Sequence, residues 1–96
     1  MSRLKPDRIT LDDAEAIALR ALGFLADDPQ RLSRFLSLTG IDLGQLRTEA
    51  KTREFQAAML EYMLGDESLL LTFCHDAGIE PVAVAPAHAL LSGHHH

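Results

Sequence analysis

The chain has 96 residues, 47% of them hydrophobic, and a formal net charge of −5. That length holds one domain with one small core, and the negative charge opposes whole-molecule attraction to nucleic acid or to an anionic membrane, so such binding needs a local basic patch. Leu and Ala supply most of the apolar fraction, Trp is absent and Tyr62 is the one tyrosine, a composition that favours helices over strands and predicts an all-α fold.

Residues 1–9, with Pro6 and mixed charge, have little to bury and read as a loose N-terminal arm. The domain is expected over residues 10–92. Thr10 and Asp13 form a capping-box pattern ahead of "LDDAEAIALRALGFLA", and Asp12, Asp13 and Glu15 suit the positive end of a helix dipole. Leu11, Ala14, Ala18, Ala21, Leu22 and Leu25 recur at helical spacing, Ile17 and Phe24 widen the stripe, and Arg20 marks the wet side. Asp28 and Pro29 stop this helix and start a second, with Leu32, Phe35, Leu36 and Thr39 inward and Arg31 and Arg34 outward.

Gly40 suits a left-handed C-cap, after which Asp42 is expected to cap a third helix that buries Leu43, Leu46 and Ala50. A fourth helix begins after Thr52 and buries Phe55, Ala58, Met59, Tyr62 and Met63; a fifth follows Asp66, turns Leu69, Leu70, Phe73, Cys74 and Ala77 inward, and ends at Gly78. In "IEPVAVAPAHALL", Pro81 fits a helix start whereas Pro86 is costly inside one, which predicts a kinked or split sixth helix. The terminal residues 93–96, "GHHH", resemble the remnant of an affinity tag.

An offset of 38 residues aligns Leu22 with Leu60, Asp28 with Asp66, Leu32 with Leu70, Phe35 with Phe73, Gly40 with Gly78 and Ile41 with Ile79. Six identities over positions 22 to 47 exceed the roughly two expected by chance from this composition, and they fall on caps, core positions and a turn. Six short helices in two similar three-helix halves, about 10–51 and 52–92, sharing one core, follow as the simplest architecture. Shared cap and core chemistry alone would produce the same residues at the same places.

Residues 31–53 carry Arg31, Arg34, Arg47, Lys51 and Arg53 against Asp42 and Glu49, a local balance of +3. One reading makes this segment helix-turn-helix-like, with Arg31, Arg34, Gln45, Arg47, Thr48 and Lys51 as possible nucleic-acid contacts. Against it, Leu36 is bulky where that motif prefers a small residue, Gly44 weakens the reading helix, and the same turn recurs at Gly78 with no Lys or Arg between it and the tag-like end. The other reading is a solvated basic face on a helical bundle.

No pattern of enzyme residues stands out. Cys74 and His75 are adjacent and point about 100° apart on a helix, so they form neither a nucleophile–base pair nor a metal clamp, and His75 with His88 lacks a third ligand. The acid pairs Asp27–Asp28 and Asp66–Glu67 sit at helix starts, where capping accounts for them. A non-enzymatic chain without cofactor or metal is expected, acting through a protein partner or as a homodimer. Leu38, Leu43, Leu69, Leu71 and the "PVAVAPAHALL" tail are the candidate contact residues, unless they complete the core. A single cysteine, no apolar leader in residues 1–16 and no long apolar run lead to the expectation of a cytoplasmic protein with no membrane association.

"LGFLA", "DPQRLSRFLSLTGI", "GDESLL" and "AGIEP", spread over about residues 14–85, resemble a family of roughly hundred-residue alphaproteobacterial proteins of unknown function. The resemblance implies an all-helical fold and a bacterial cytosolic setting, and places no catalytic residue, cofactor or ligand on any position. The functional expectation is therefore a protein-interaction module, with a small DNA-binding regulator using residues 31–53 as its alternative.

Overall fold

The structure, a computed structural model, describes residues 9–93. It is all-α, with no strand among the described residues. The helices are α1 (Leu11–Ala26), α2 (Pro29–Thr39), α3 (Leu46–Glu49), α4 (Arg53–Leu64), α5 (Glu67–Ala77) and α6 (Val84–Ser92), and 3₁₀ turns at Leu43–Gln45 and Pro81–Ala83 lead into α3 and α6. Residues 1–8 of the expected arm and 94–96 of the expected tag remnant lie outside the described residues. Ile9, counted with the arm, instead packs against the core, because it is apolar and stands next to the cap that anchors α1.

The caps form as the residue types require. Thr10 Oγ1 accepts from the Asp13 amide at 3.1 Å and Asp13 Oδ2 accepts from the Thr10 amide at 3.1 Å, closing the capping box. Asp28 accepts from the amides of Gln30 and Arg31, Thr52 from Phe55 and Asp66 from Leu69. Gly40 and Gly78 end α2 and α5 with φ of 76° and 70°, a region that costs a side-chain-bearing residue about 1–2 kcal/mol.

The expected 38-residue offset is visible in the backbone. α1 ends at Ala26 and α4 at Leu64; α2 spans Pro29–Thr39 and α5 Glu67–Ala77; each pair is then followed by a left-handed glycine, a 3₁₀ turn and a helix, at Leu46 and at Val84. Packing does not repeat as closely. α6 lies against both α1 and α4 and buries Val84, Ala87 and Leu91, whereas α3 is a single turn with no buried residue.

One cluster therefore forms the core. It joins Ala14, Ile17, Ala21 and Leu25 of α1 to Met59, Leu60 and Met63 of α4 and to α6, with Phe35 and Phe73 driven in from α2 and α5. Phe35 meets Phe55 edge-on at 5.6 Å and Tyr62 at 5.2 Å between ring centroids, an arrangement worth about 0.5–1.5 kcal/mol per pair beyond area burial. The "PVAVAPAHALL" segment belongs to this core through Ala83, Val84, Ala87 and Leu91, which corrects its reading as a contact surface; of this stretch Val82 remains well exposed. Its small side chains let α6 approach both neighbours.

The sixth helix is split as expected. Pro86 has no N–H to give to the Val82 carbonyl, so the chain passes through a 3₁₀ turn at 81–83, and Pro86 sits in the first turn of α6, where its amide would be unpaired in any case.

Candidate functional site

The third helix is where the chain departs most from expectation. Asp42 makes no side-chain cap bond, the segment after it is a 3₁₀ turn, and Leu43, expected inside, is 62% exposed. Thr52 explains why α3 stops after one turn. Its Oγ1 donates to the Glu49 carbonyl at 2.8 Å and accepts from the Phe55 amide at 3.1 Å, closing α3 and opening α4 with one side chain. Gln56, 5% exposed, then pins the turn by donating from Nε2 to the Ala50 carbonyl at 3.1 Å.

So short a helix leaves the seam between α1 and α3 open. The groove there has a volume of about 730 Å³. Leu19, Leu22, Leu43, Leu46 and Ala50 supply its apolar lining, Glu15 stands on the α1 side, Arg47 and Lys51 on the α3 side, and Gln56 also lines it. The Gln56 Oε1 is buried and finds no hydrogen-bond partner among the described residues.

The positions 38 residues further along the chain provide a contrast. Adding 38 to the residue numbers turns Leu19, Leu22, Leu46, Arg47 and Lys51 into Ala57, Leu60, Val84, Ala85 and Ala89. The second seam, between α4 and α6, is closed: Leu60 and Val84 are fully buried. In the first half the matching Leu22 and Leu46 are only partly covered, and Leu19 is 50% exposed. Of the three matching alanines, Ala85 is exposed and Ala57 and Ala89 are partly buried, so the two seams differ chiefly in how far Leu22 and Leu46 are covered compared with Leu60 and Val84.

A second groove, of about 530 Å³, adjoins the first through Leu43 and is lined by Leu32, Leu36 and Ile41 among others. Leu43 is thus an exposed apolar ridge between two apolar troughs. The other candidate contacts scatter. Leu38 is 69% exposed and Leu71 46% exposed, while Leu69 packs against the core and is corrected to a partly buried position, because it follows the N-terminal cap of α5 on the inward face.

The basic residues divide into two sets. Arg31, read as pointing outward, turns back over the Phe24 ring at 4.8 Å and also pairs with Asp28 at 3.5 Å; the aromatic face attracts the guanidinium while its stem covers apolar surface. Arg31 and Arg34 line a polar cleft with Tyr62, Asp66, Ser68 and Thr72, whereas Arg47 and Lys51 line the α1–α3 groove. Gln45 and Thr48 are exposed on the 3₁₀ turn and on α3. The helix meant to enter a major groove is Leu46–Glu49, one turn long, against the several turns a recognition helix uses.

Among the described residues, Cys74 and His88 have different surroundings. Cys74 is 2% exposed, and burial pushes its thiol above the ordinary value of 9.0, which keeps it protonated and a poor nucleophile at neutral pH. His88 instead lies 3.3 Å from Ser92 Oγ and 3.7 Å from Glu61. No group of three metal-ligating side chains occurs among the described residues, and no helix among them is long and apolar enough to cross a membrane.

A family profile described as "Protein of unknown function (DUF3572)" matches residues 11–94. The chain belongs to this family. The match runs from the first residue of α1 to just past the glycine that caps α6, so it takes in α1 to α6 and both seams of the DUF3572 domain. No curated protein and no solved structure shows a significant match.

Sequence reading anticipated Arg47 and Lys51 at the surface, gave Leu43 both as a core residue and as a candidate contact, and missed Glu15, Leu19, Leu22 and Gln56 as their neighbours. A signal existed for Leu19, which is apolar and lies outside the stripe that buries α1. Another lay in the 38-residue alignment, where two alanines of one copy face two cations of the other.

Proposed function

We propose that this domain is a non-enzymatic protein-interaction module of the bacterial cytoplasm, and that it binds through the open α1–α3 seam. The observation that carries the reading is the run of leucines, Leu19 and Leu43 exposed and Leu22 and Leu46 partly covered, in a groove whose counterpart in the same chain buries Leu60 and Val84 fully. Apolar surface at a site built for closure favours cover by another protein over water. The charged rim adds selectivity, since each wrong charge opposite Glu15, Arg47 or Lys51 opposes docking. The protonated, buried Cys74 accords with a reducing compartment and with a thiol that does no chemistry.

A photo-crosslinking side chain placed at position 43 tests this in extract of native cells, with position 71 on α5 as the control. The reading expects protein adducts from position 43 well above those from position 71. Equal yields from the two positions would refute it.

A further inference from the structure

The charges on the groove are arranged in a way that selects among occupants. Its α1 side carries Glu15 and its α3 side Arg47 and Lys51, so the two rims have opposite sign. A two-fold axis running along the length of such a groove places the acidic rim of each molecule against the basic rim of the other. Both rims are then matched by one operation, the condition for a self-complementary interface. An occupant with one sign of charge along its length, acidic or basic, would satisfy one rim and oppose the other.

The apolar residues fit the same operation. Leu43, 62% exposed, stands up between two apolar grooves, so each copy offers a ridge and a trough to its mate. Leu19, 50% exposed, gives the α1 rim an apolar shoulder beside Glu15. Closure by a second copy would cover in the first half what α6 covers in the second.

On the reading that the groove is a protein-binding site, we propose that its occupant is a second copy of this chain, related by a two-fold axis, with Glu15 of each copy opposite Arg47 and Lys51 of the other. Long-range repulsion between two chains of net charge −5 does not prevent this, because it is screened beyond about 8 Å at physiological ionic strength while the facing rims meet at contact range.

The test is a charge swap followed by sedimentation equilibrium over a wide concentration range. The wild-type chain is expected to dimerise. Glu15→Lys alone sets three cations facing one another at each rim, and Arg47→Glu with Lys51→Glu sets three acids there, so each variant should dimerise about tenfold more weakly or worse. Mixed in equal amounts, the two variants should form a heterodimer, since every rim is again opposite in sign. Leu43→Asp, at an exposed position that cannot disturb the core, should also abolish dimerisation. Helical content and the thermal midpoint of each variant show that it is folded.

A wild-type chain that stays monomeric throughout, variants that dimerise as well as wild type, or a mixture that stays monomeric would each overturn the proposal. A monomeric wild-type chain whose position 43 still crosslinks a protein of different mass would remove the second copy and leave the groove as a binding site. Loss of both would remove the two together.

Discussion

Replacing three glycines by alanine, one at a time, separates conformational cost from packing in this fold. Gly40 and Gly78 hold φ of 76° and 70°, and a Cβ built on either meets nothing within 4 Å. Gly40→Ala and Gly78→Ala therefore carry no clash; what remains is the left-handed backbone, about 1–2 kcal/mol for an L-residue, less about 0.4–1 kcal/mol from the stiffer unfolded chain. Each should destabilise by about 1 kcal/mol. Gly23 lies inside α1, and its Cβ also meets nothing within 4 Å, so Gly23→Ala should stabilise by up to about 1 kcal/mol through helix propensity. For a domain of this size 1 kcal/mol moves the thermal midpoint by roughly 4–8 °C. Urea unfolding followed by circular dichroism reads the same quantity as a change in midpoint at unchanged slope. The two turn substitutions should agree within error, because their backbones match. A Gly40→Ala chain as stable as wild type, or a Gly23→Ala chain that is less stable, would refute the reasoning.

Two further outcomes follow from the core. Phe35→Ala removes a fully buried ring that ties α2 to Phe55 and Tyr62 of α4; a loss of about 3–5 kcal/mol is expected in urea titration, and a loss below about 1 kcal/mol would show that α2 is held by something else. Burial raises the Cys74 thiol above 9.0, so the folded state favours the protonated form. The stability this contributes is complete below the unfolded-state value and is lost as pH rises through the folded-state value. Between neutral pH and the alkaline range, wild-type stability should therefore fall more steeply than that of Cys74→Ala, and parallel pH profiles for the two chains would count against this account.

What could be read along the chain was what local chemistry decides. Thr10 with Asp13, Asp28 with Pro29, Thr52 and Asp66 mark helix starts because a side-chain oxygen next to orphan amides is useful nowhere else nearby. Gly40 and Gly78 mark stops for an equally local reason. The apolar period gave most of the inward face of α1, α2, α4 and α5, and the 38-residue offset gave the matching boundaries. The site was less legible. Nothing near Leu43 in sequence says that it stays outside while Leu46 is partly covered, or that Arg31 bends back over Phe24.

All-α architecture, the ends of the helices and the recurrence of one turn were thus determined by the sequence itself, since each depends on residues within a few positions of one another. Only the tertiary structure decided which of two similar segments became core. The segments that start at Leu46 and at Val84 occupy matching places along the chain, yet the second packs against α1 and α4 through Val84, Ala87 and Leu91, while the first is halted after Glu49 by Thr52 and pinned by Gln56 with Leu46 left partly covered. A helix of nine residues presents Val84, Ala87 and Leu91 on one inward face, and a helix of four residues has no such face to bury. The open seam left by the shorter helix is the site.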